Sequence, residues 1–321
     1  MSDQSKAFRQ KLSERYYIVA AEIEQRLVSK LDGTAKYLLR LPDGEHVECV
    51  LMEYHHGYSI CISSQVGCKM NCSFCATGKS GFSRNLTASE MLSQIQTVQQ
   101  DQGIRISNVV LMGMGEPLDN YQNVLRFLEL VSSDEGMNIG MRHISLSTCG
   151  IVDKIYDLAE RKLQLTLSVS LHAPNDAIRS QTMPVNNRWG VDELLTACRA
   201  YAETTGRRIS FEYAMISGVN DTAACAKELA TRLHGMLCHH GAGACLHCLC
   251  GIVVAICARA ADAHKQASRP GSAVICHNRR HNRVAFHLPQ AAAQYICPNR
   301  LHLASPSALR GAPTPLSEVG S

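Results

Sequence analysis

Short apolar segments alternate with longer amphipathic segments through the middle of the chain. The apolar segments are predicted strands at residues 58–63, 108–114, 143–148, 165–171 and 208–216. The amphipathic segments between and after them are predicted helices at residues 87–101, 120–132, 153–161, 191–204 and 222–237. Continuous apolar strands alternating with helices are typical of parallel βα units whose sheet is covered on both faces. Five such units predict a partial (β/α) barrel, in which functional side chains lie where the strands end.

The segment before the first unit has a different pattern. Residues 6–26 are predicted to be helical. Residues 37–41 and 46–52 flank the turn sequence Pro42-Asp43-Gly44, which predicts a β-hairpin. We therefore expect an α/β fold in which residues 1–57 form a small N-terminal helix and β-hairpin extension of the barrel.

Cysteine is frequent, with 15 in 321 residues. Residues 1–30 are polar and resemble neither a secretory signal nor an acid-poor transit peptide. In a chain of this length without a signal, many cysteines indicate metal binding or thiol chemistry rather than disulfides. The longest apolar run, residues 251–258, is too short to span a bilayer. We expect a cytoplasmic protein with no membrane partner.

The net charge of +4 is unevenly distributed. From Cys238 onward there are 8 Lys and Arg against 2 Asp and Glu, whereas the preceding residues carry 24 against 26. The first three quarters of the chain is therefore not basic, and any binding of nucleic acid there requires local patches rather than an overall field.

Three closely spaced cysteines follow the first predicted barrel strand. Cys68, Cys72 and Cys75 lie in a loop with the turn residues Gly67 and Asn71. Closely spaced thiolates hold iron-sulfur clusters, normally with four ligands, and a cluster with three protein ligands keeps one iron open for a cofactor. A structural zinc site is an alternative, although it normally has four ligands. Simple packing of three cysteines is the third possibility.

The wider sequence around the triplet resembles one family. The Cys-x3-Cys-x2-Cys spacing resembles the radical-SAM superfamily signature, and the flanking sequence resembles the RlmN/Cfr family of RNA adenine carbon-2 methyltransferases. The matching segments are Ser63-Ser-Gln-Val-Gly-Cys68, Cys75-Ala-Thr-Gly, Gly81-Phe-Ser-Arg-Asn-Leu86, Met112-Gly-Met-Gly-Glu-Pro117, Ser145-Leu-Ser-Thr148, Ser168-Val-Ser-Leu-His-Ala-Pro-Asn175 and Gly218-Val-Asn-Asp221. The similarity covers residues 32–237, and the resemblance implies a radical-SAM barrel over residues 58–237.

The resemblance also implies roles for individual residues. A [4Fe-4S] cluster would be held by Cys68, Cys72 and Cys75. S-adenosylmethionine would be bound by Gly115, Glu116, Ser147, Ser170, Leu171 and His172. Glu48 matches the family's proposed proton acceptor, and Cys61 matches the cysteine that resolves the enzyme–RNA adduct. Cys49, Cys149, Cys198 and Cys225 lie in strand or helix patterns where packing is the expected role.

In the family, two molecules of S-adenosylmethionine are used. One methylates a cysteine near the C-terminus, and the other is cleaved reductively to a deoxyadenosyl radical that activates the methylated cysteine. Its carbon adds to carbon 2 of an adenine, and the adduct is resolved as the two cysteines form a disulfide. The implied partners are large-subunit rRNA, tRNA for some members, and an electron donor such as flavodoxin or ferredoxin.

Residues 238–321 differ in composition from the preceding chain. They hold 7 of the 15 cysteines and 8 of the 14 histidines, with a single Lys and a single Glu. An aberrant, frame-shifted C-terminus is the leading explanation, and a flexible tail or a zinc-binding appendage are the alternatives. We expect this segment to be an anomalous and poorly ordered tail.

The sequence departs from the family pattern at both ends. The helical domain expected before Asp32 is reduced to a stub, and the Asp-Ile-Asp-Ala-Ala-Cys-Gly-Gln block with the methyl-accepting cysteine is absent. Cys297 lies at a plausible distance, but nothing around it matches. Two other functions therefore compete with methyl transfer: a vestigial homologue that binds cluster and cofactor without methylating RNA, and a zinc-binding nucleic-acid module that uses residues 245–250.

Overall fold

The computed structural model describes residues 4–15, residues 20–244 and four short strands beyond them. Its main feature is one sheet of ten strands in the order β1-β2-β3-β4-β7-β8-β9-β10-β11-β12. The strands of this sheet are β1 (Glu22–Val28), β2 (Ala35–Arg40), β3 (His46–Tyr54), β4 (Gly57–Cys61), β7 (Ile106–Leu111), β8 (Ile144–Thr148), β9 (Thr166–Ser170), β10 (Ile209–Met215), β11 (Cys238–Ala244) and β12 (Ala255–Ile256).

Six consecutive members of the sheet, from β4 to β11, pair in parallel. The helices between them are α3 (Ala88–Gln102), α4 (Tyr121–Ser132), α5 (Val152–Glu160), α6 (Asp176–Thr182), α7 (Val191–Thr205) and α8 (Ala223–Leu233). This arrangement confirms the predicted partial (β/α) barrel. Because parallel strands run in one direction, their carboxyl ends all lie at the same edge of the sheet.

Helices pack on the sheet through apolar stripes at helical spacing. In α4, Val124, Phe127, Leu128 and Val131 are buried and recur every three or four residues. The strands also bury apolar side chains at alternate positions, as Ile209, Phe211 and Tyr213 do along β10. The opposite positions of β10, Ser210 and Glu212, are only partly buried, so polar side chains line the other face of that strand.

The N-terminal extension contains one element that the sequence analysis did not predict. Helix α1 (Lys6–Ser13) occupies only the first part of the predicted helix, and strand β1 replaces the last part. β1 pairs antiparallel with β2, where Glu22 contacts Arg40 and Glu24 accepts a hydrogen bond from His46 over 2.9 Å. The free edge of the hairpin offers backbone partners to this segment, all of whose side chains are exposed.

The predicted hairpin itself is confirmed. β2 and β3 pair around Gly44, whose φ of 88° requires glycine. β3 then pairs with β4, which is also the first parallel strand of the barrel. The extension and the barrel therefore share one continuous sheet across the boundary predicted at residue 57.

The parallel sheet also continues past residue 237. Helix α8 ends at Leu233, before Gly235 with its φ of 74°, and β11 then pairs in parallel with β10 along its whole length. The expected poor order of residues 238–321 falls largely outside the described residues. Beyond β12, the described backbone there comprises β13 (Ala273–Cys276), β14 (Val284–Ala285) and β15 (Leu301–Ala304), which form a three-stranded antiparallel sheet.

A short two-stranded sheet carries the cysteine loop. Strands β5 (Gln65–Gly67) and β6 (Phe82–Asn85) pair antiparallel and enclose helix α2 (Ala76–Lys79). Among the described helices, none combines the length and the apolar character that a membrane crossing requires.

The N-terminus of α3 gives a first testable prediction. Thr87 and Glu90 form a capping box: Thr87 Oγ1 accepts from Glu90 N over 3.2 Å, and Glu90 Oε2 accepts from Thr87 N over 2.8 Å. Thr87→Ala should lower the free energy of unfolding by about 1 kcal/mol, because an orphan amide loses its partner. Urea unfolding measures this change.

The matched control is Thr196→Ala, within α7, where the hydroxyl only bonds back to Asp192 O. Its effect should stay within about 0.5 kcal/mol, as for ordinary surface substitutions. Equal destabilisation by both variants would contradict the capping role of Thr87.

Candidate cofactor and active site

The cysteine loop is held against the carboxyl edge of the sheet at several points. Cys68 N donates to Gly81 O over 2.8 Å, and Cys75 N donates to Cys72 O over 3.1 Å. Ser73 N donates to Thr182 O of α6 over 2.9 Å. The loop is therefore fixed to both β6 and the fourth βα unit of the barrel.

The three thiols belong to one short loop and affect one another electrostatically. Burial raises the pKa of Cys68 to about 11. Burial, followed by the neighbouring thiols of Cys75 and Cys68, raises the pKa of Cys72 to about 12, and the positive charge of Arg179 opposes this increase. Cys72 is buried, whereas Cys68 and Cys75 are partly exposed. Because ligand thiols bind metal as thiolates, metal binding here would release protons.

This donor set fits the cluster implied by the sequence. In the described part of the chain, no three Cys, His, Asp or Glu side chains converge closely enough to hold a single metal ion. A cubane spreads its thiolates over separate irons and does not require such convergence. The zinc alternative for residues 245–250 falls outside the described residues.

The glycine-containing loop after β7 passes very close to the end of β4. Gly113 N donates to Ile62 O over 3.0 Å, and a Cβ on Gly113 would lie 2.6 Å from that oxygen. Gly115 has a φ of 101°, and its Cβ would lie 2.6 Å from Gln65 Cβ. Both glycines are therefore required by close approach, and the second also by its left-handed backbone.

Glu116 follows in the same loop, and its carboxylate is buried. Oε1 accepts from Leu118 N over 3.0 Å, and Oε2 accepts from Cys149 N at the end of β8 over 2.7 Å. Burial raises the pKa of Glu116, and its bonds to the backbone amides oppose that increase. The side chain thus connects the loops after two neighbouring strands.

His172 lies just after β9 in a left-handed conformation, with a φ of 55°. Its Nδ1 accepts from Ala214 N over 3.0 Å, so the proton of the neutral ring lies on Nε2. Burial lowers the pKa of His172 to about 3, which keeps the ring neutral at pH 7. The ring packs edge to face on Phe74 of the cysteine loop, with 4.9 Å between centroids.

The remaining predicted cofactor residues lie at the ends of β8 and β9. Ser147 pairs with Ser168 in the parallel ladder, and Ser170 pairs with Glu212 of β10. Leu171 is buried and its amide donates to Glu212 O over 3.1 Å. Together with Gly115, Glu116 and His172, these residues lie at the same edge of the sheet as the cysteine loop.

Glu48 and Cys61 lie on adjacent antiparallel strands beside this edge. Cys61 is the last residue of β4, and Glu48 lies on β3, where its carboxylate forms an ion pair with Lys36 at 2.8 Å. Glu48 O accepts from Ser63 Oγ over 2.6 Å. Ser63 Oγ in turn accepts from Met114 N over 2.9 Å, so a buried hydroxyl connects β3 to the glycine loop.

Three buried polar residues that were not predicted from the sequence connect the loops of the site to one another. Besides Ser63, Gln65 accepts from Glu116 N over 2.9 Å and donates to Asp119 over 2.8 Å. Arg179 of α6 is fully buried and reaches the ends of β8 and β9. Ser63 and Gln65 lie inside the family-like segment that ends at Cys68. Arg179 lies on the short helix α6, outside all of the family-like segments.

Comparisons with known proteins agree on one family. The model of the radical SAM superfamily matches residues 62–225. A relative from Lachnoclostridium phytofermentans, named probable dual-specificity RNA methyltransferase RlmN, is 53% identical over 74% of this chain and 67% of its own length. A relative of the same name from Clostridium perfringens is 55% identical over 74% of this chain and 69% of its own length.

A solved structure is similar over the same share of the chain. The crystal structure of a radical SAM methyltransferase from Sphaerobacter thermophilus has a TM-score of 0.72 and 44% identity, and the match covers 75% of this chain and 72% of that one.

Two glycines of the cysteine loop provide a matched pair for testing the loop geometry. Gly67 (φ 75°) and Gly81 (φ 79°) both have left-handed backbones, but only at Gly67 would a Cβ collide, 2.0 Å from Gly81 O. Gly67→Ala should therefore displace Cys68 and lower the iron bound after anaerobic reconstitution by at least about half. Gly81→Ala carries the same backbone strain without the collision.

Iron and sulfide content, together with the visible absorption of the cluster, measure the effect. Equal losses in the two variants would mean that backbone strain alone, rather than the close approach of Gly67 to Gly81, controls the loop.

Proposed function

Because the chain belongs to the radical SAM superfamily and, within it, to the RlmN-type RNA methyltransferases, we propose that it transfers a methyl group to carbon 2 of an adenine in RNA. Proteins of this family use a [4Fe-4S] cluster and S-adenosylmethionine. The observation that carries the proposal is the convergence of the cysteine loop, the glycine loop and the ends of β8 and β9 at one edge of the sheet.

Cys68, Cys72 and Cys75 would hold the cluster. When bound, the cluster and S-adenosylmethionine supply the radical chemistry that an unreactive aromatic carbon requires. The protein contributes a loop anchored on β6 and α6 that keeps Cys72 buried. Burial of that thiol limits the access of water to the cluster.

Gly115, Glu116, Ser147, Ser170, Leu171 and His172 would bind S-adenosylmethionine. The left-handed Gly115 allows close backbone approach, and a carboxylate such as Glu116 accepts from an ammonium group. Both oxygens of Glu116 already accept backbone amides, and each retains acceptor capacity. The neutral His172 ring is a hydrogen-bond donor through Nε2 and packs against the cysteine loop.

Glu48 would act as the proton acceptor, and Cys61 would resolve the covalent adduct with RNA. The ion pair with Lys36 orients the Glu48 carboxylate, which remains half-exposed and accessible to a substrate base. Cys61 lies at the end of β4, three residues before the buried Ser64 that follows the strand. The disulfide that Cys61 forms in the family cycle stays a prediction.

The proposed substrates are an adenine of large-subunit rRNA and an adenine of tRNA, presented unstacked to the site. An electron donor of the flavodoxin or ferredoxin type would reduce the cluster. A cytoplasmic location is consistent with such partners.

The second candidate function is cofactor cleavage without methyl transfer. It is favoured by the sequence after the barrel, in which the block that carries the methyl-accepting cysteine has no counterpart and Cys297 lacks matching neighbours. Methyl transfer requires a thiol held within roughly 3 to 3.5 Å of its target, whereas cleavage requires only the cluster and the bound cofactor.

The cluster assignment is tested by metal analysis. Anaerobically reconstituted protein should bind about four irons with equivalent sulfide. Replacement of Cys68, Cys72 or Cys75 by Ala should abolish this binding, whereas Cys225→Ala, at a buried cysteine of α8, should not. Stoichiometric zinc without sulfide in anaerobically purified protein would overturn the assignment.

Two products measured in the same reaction distinguish the two candidate functions. The reduced protein should release deoxyadenosine from S-adenosylmethionine in either case, because the cluster cysteines and most of the proposed cofactor contacts are present. Mass spectrometry of rRNA and tRNA fragments then detects 2-methyladenosine. Its appearance supports the methyltransferase, and its loss on Cys297→Ala would identify that thiol as the methyl acceptor.

Deoxyadenosine without 2-methyladenosine would support the vestigial alternative. A Glu48→Gln variant should release deoxyadenosine at the wild-type rate but lose any methylation, since Glu48 is proposed to act after the cofactor is cleaved. A slower cleavage step in this variant would contradict the proposed role of Glu48.

A further inference from the structure

Arg179 is the most completely buried charged residue that the proposed function does not use. It lies on α6 with none of its surface exposed. Burying a cation is costly unless it is paired or fully hydrogen-bonded. Within the described residues, no carboxylate lies within salt-bridge distance of the guanidinium, so the reason for its burial must be sought in its hydrogen bonds and surroundings.

The guanidinium binds four neutral oxygens on three parts of the chain. Nε donates to Leu171 O over 3.0 Å, and one terminal nitrogen donates to Asn186 Oδ1 over 3.1 Å. The other terminal nitrogen donates to Cys149 O over 2.6 Å and to Ser170 O over 3.0 Å. Arg179 therefore joins Cys149, which directly follows β8, to Ser170 and Leu171 at the end of β9.

These contacts reach the proposed cofactor residues through one residue, Cys149. Cys149 N donates to the Glu116 carboxylate, and Cys149 O accepts from Arg179. Ser170 and Leu171, whose carbonyls Arg179 also binds, are themselves proposed cofactor contacts. A displacement of the guanidinium would thus move parts of the loops after β7, β8 and β9 together.

The helix that carries Arg179 is also hydrogen-bonded to the cysteine loop. Ser73, the residue after Cys72, donates its backbone N–H to Thr182 O over 2.9 Å, and Thr182 lies three residues after Arg179 on the same helix. A nearby cation favours the more negative of two redox states, and net charge around an iron-sulfur cluster sets its reduction potential. A buried cation with no carboxylate in salt-bridge distance is therefore complementary to a cluster that must be reduced.

We propose that Arg179 is a positioning residue of the cofactor site, which fixes the ends of β8 and β9 for S-adenosylmethionine and makes the cluster easier to reduce. The proposal rests on the assignment of the cluster and S-adenosylmethionine to this edge of the sheet. It separates two properties of one side chain, the forked geometry and the charge, and each property can be removed independently.

Arg179→Lys retains the charge but loses the planar fork, whereas Arg179→Met loses both. Both variants should bind S-adenosylmethionine about 10- to 100-fold more weakly, as expected when a residue that orients ligating groups is lost. Only Arg179→Met should shift the midpoint potential of the cluster to a more negative value. Equilibrium dialysis and a redox titration followed by electron paramagnetic resonance measure the two effects.

Arg199→Met is the matched control, because Arg199 is a partly buried arginine of α7 that binds one carbonyl, Arg232 O, over 2.6 Å. It should leave both the affinity and the potential unchanged within about twofold. If Arg179→Met does not assemble a cluster, Arg179→Gln, which removes the charge but keeps a hydrogen-bonding side chain, replaces it in the redox titration.

Wild-type affinity in Arg179→Lys would overturn the positioning role. An equal shift in potential in the Lys and Met variants would overturn the role of the charge. Failure of the wild-type chain to bind cluster and cofactor would instead contradict the site assignment, and the inference with it.

Discussion

The parallel hydrogen-bond ladder from β4 to β11 is the constraint on which the rest of the molecule depends. It brings the ends of six strands to one edge, and the chain leaves each strand there with backbone groups that no further ladder can satisfy. The cysteine loop, the glycine loop and the residues after β8 and β9 meet at this edge. The location of the candidate site thus follows from the direction of the strands.

Buried polar side chains bind backbone groups at this edge that the ladder leaves without partners. Each of four such side chains binds a backbone group of a segment distant from its own in sequence: Ser63, Gln65, Glu116 and Arg179. Such a network is costly when it is partly satisfied and rigid when it is fully satisfied. Each of these residues therefore determines the shape of the edge more than the stability of the barrel, which the apolar strands and helices provide.

The N-terminal hairpin has a different relation to the site. β3 pairs with β4 and carries Glu48 next to the end of the first barrel strand. The three-stranded extension is thus a continuation of the barrel sheet and contributes a proposed catalytic residue. Arg84, which binds both Asp43 of the hairpin turn and Glu90 of α3, fixes the turn against the barrel.

The sequence by itself determined the βα alternation, the hairpin, the family and the cysteine loop, because periodicity and contiguous motifs are local properties of the chain. It did not predict β1, whose exposed residues form a strand because the edge of β2 provides backbone partners. Nor did it predict β11, whose small and polar residues carry no strand periodicity and pair through the free edge of β10. Only the tertiary structure identified Arg179, because its acceptors come from segments that are up to 30 residues away in sequence and meet through the parallel ladder.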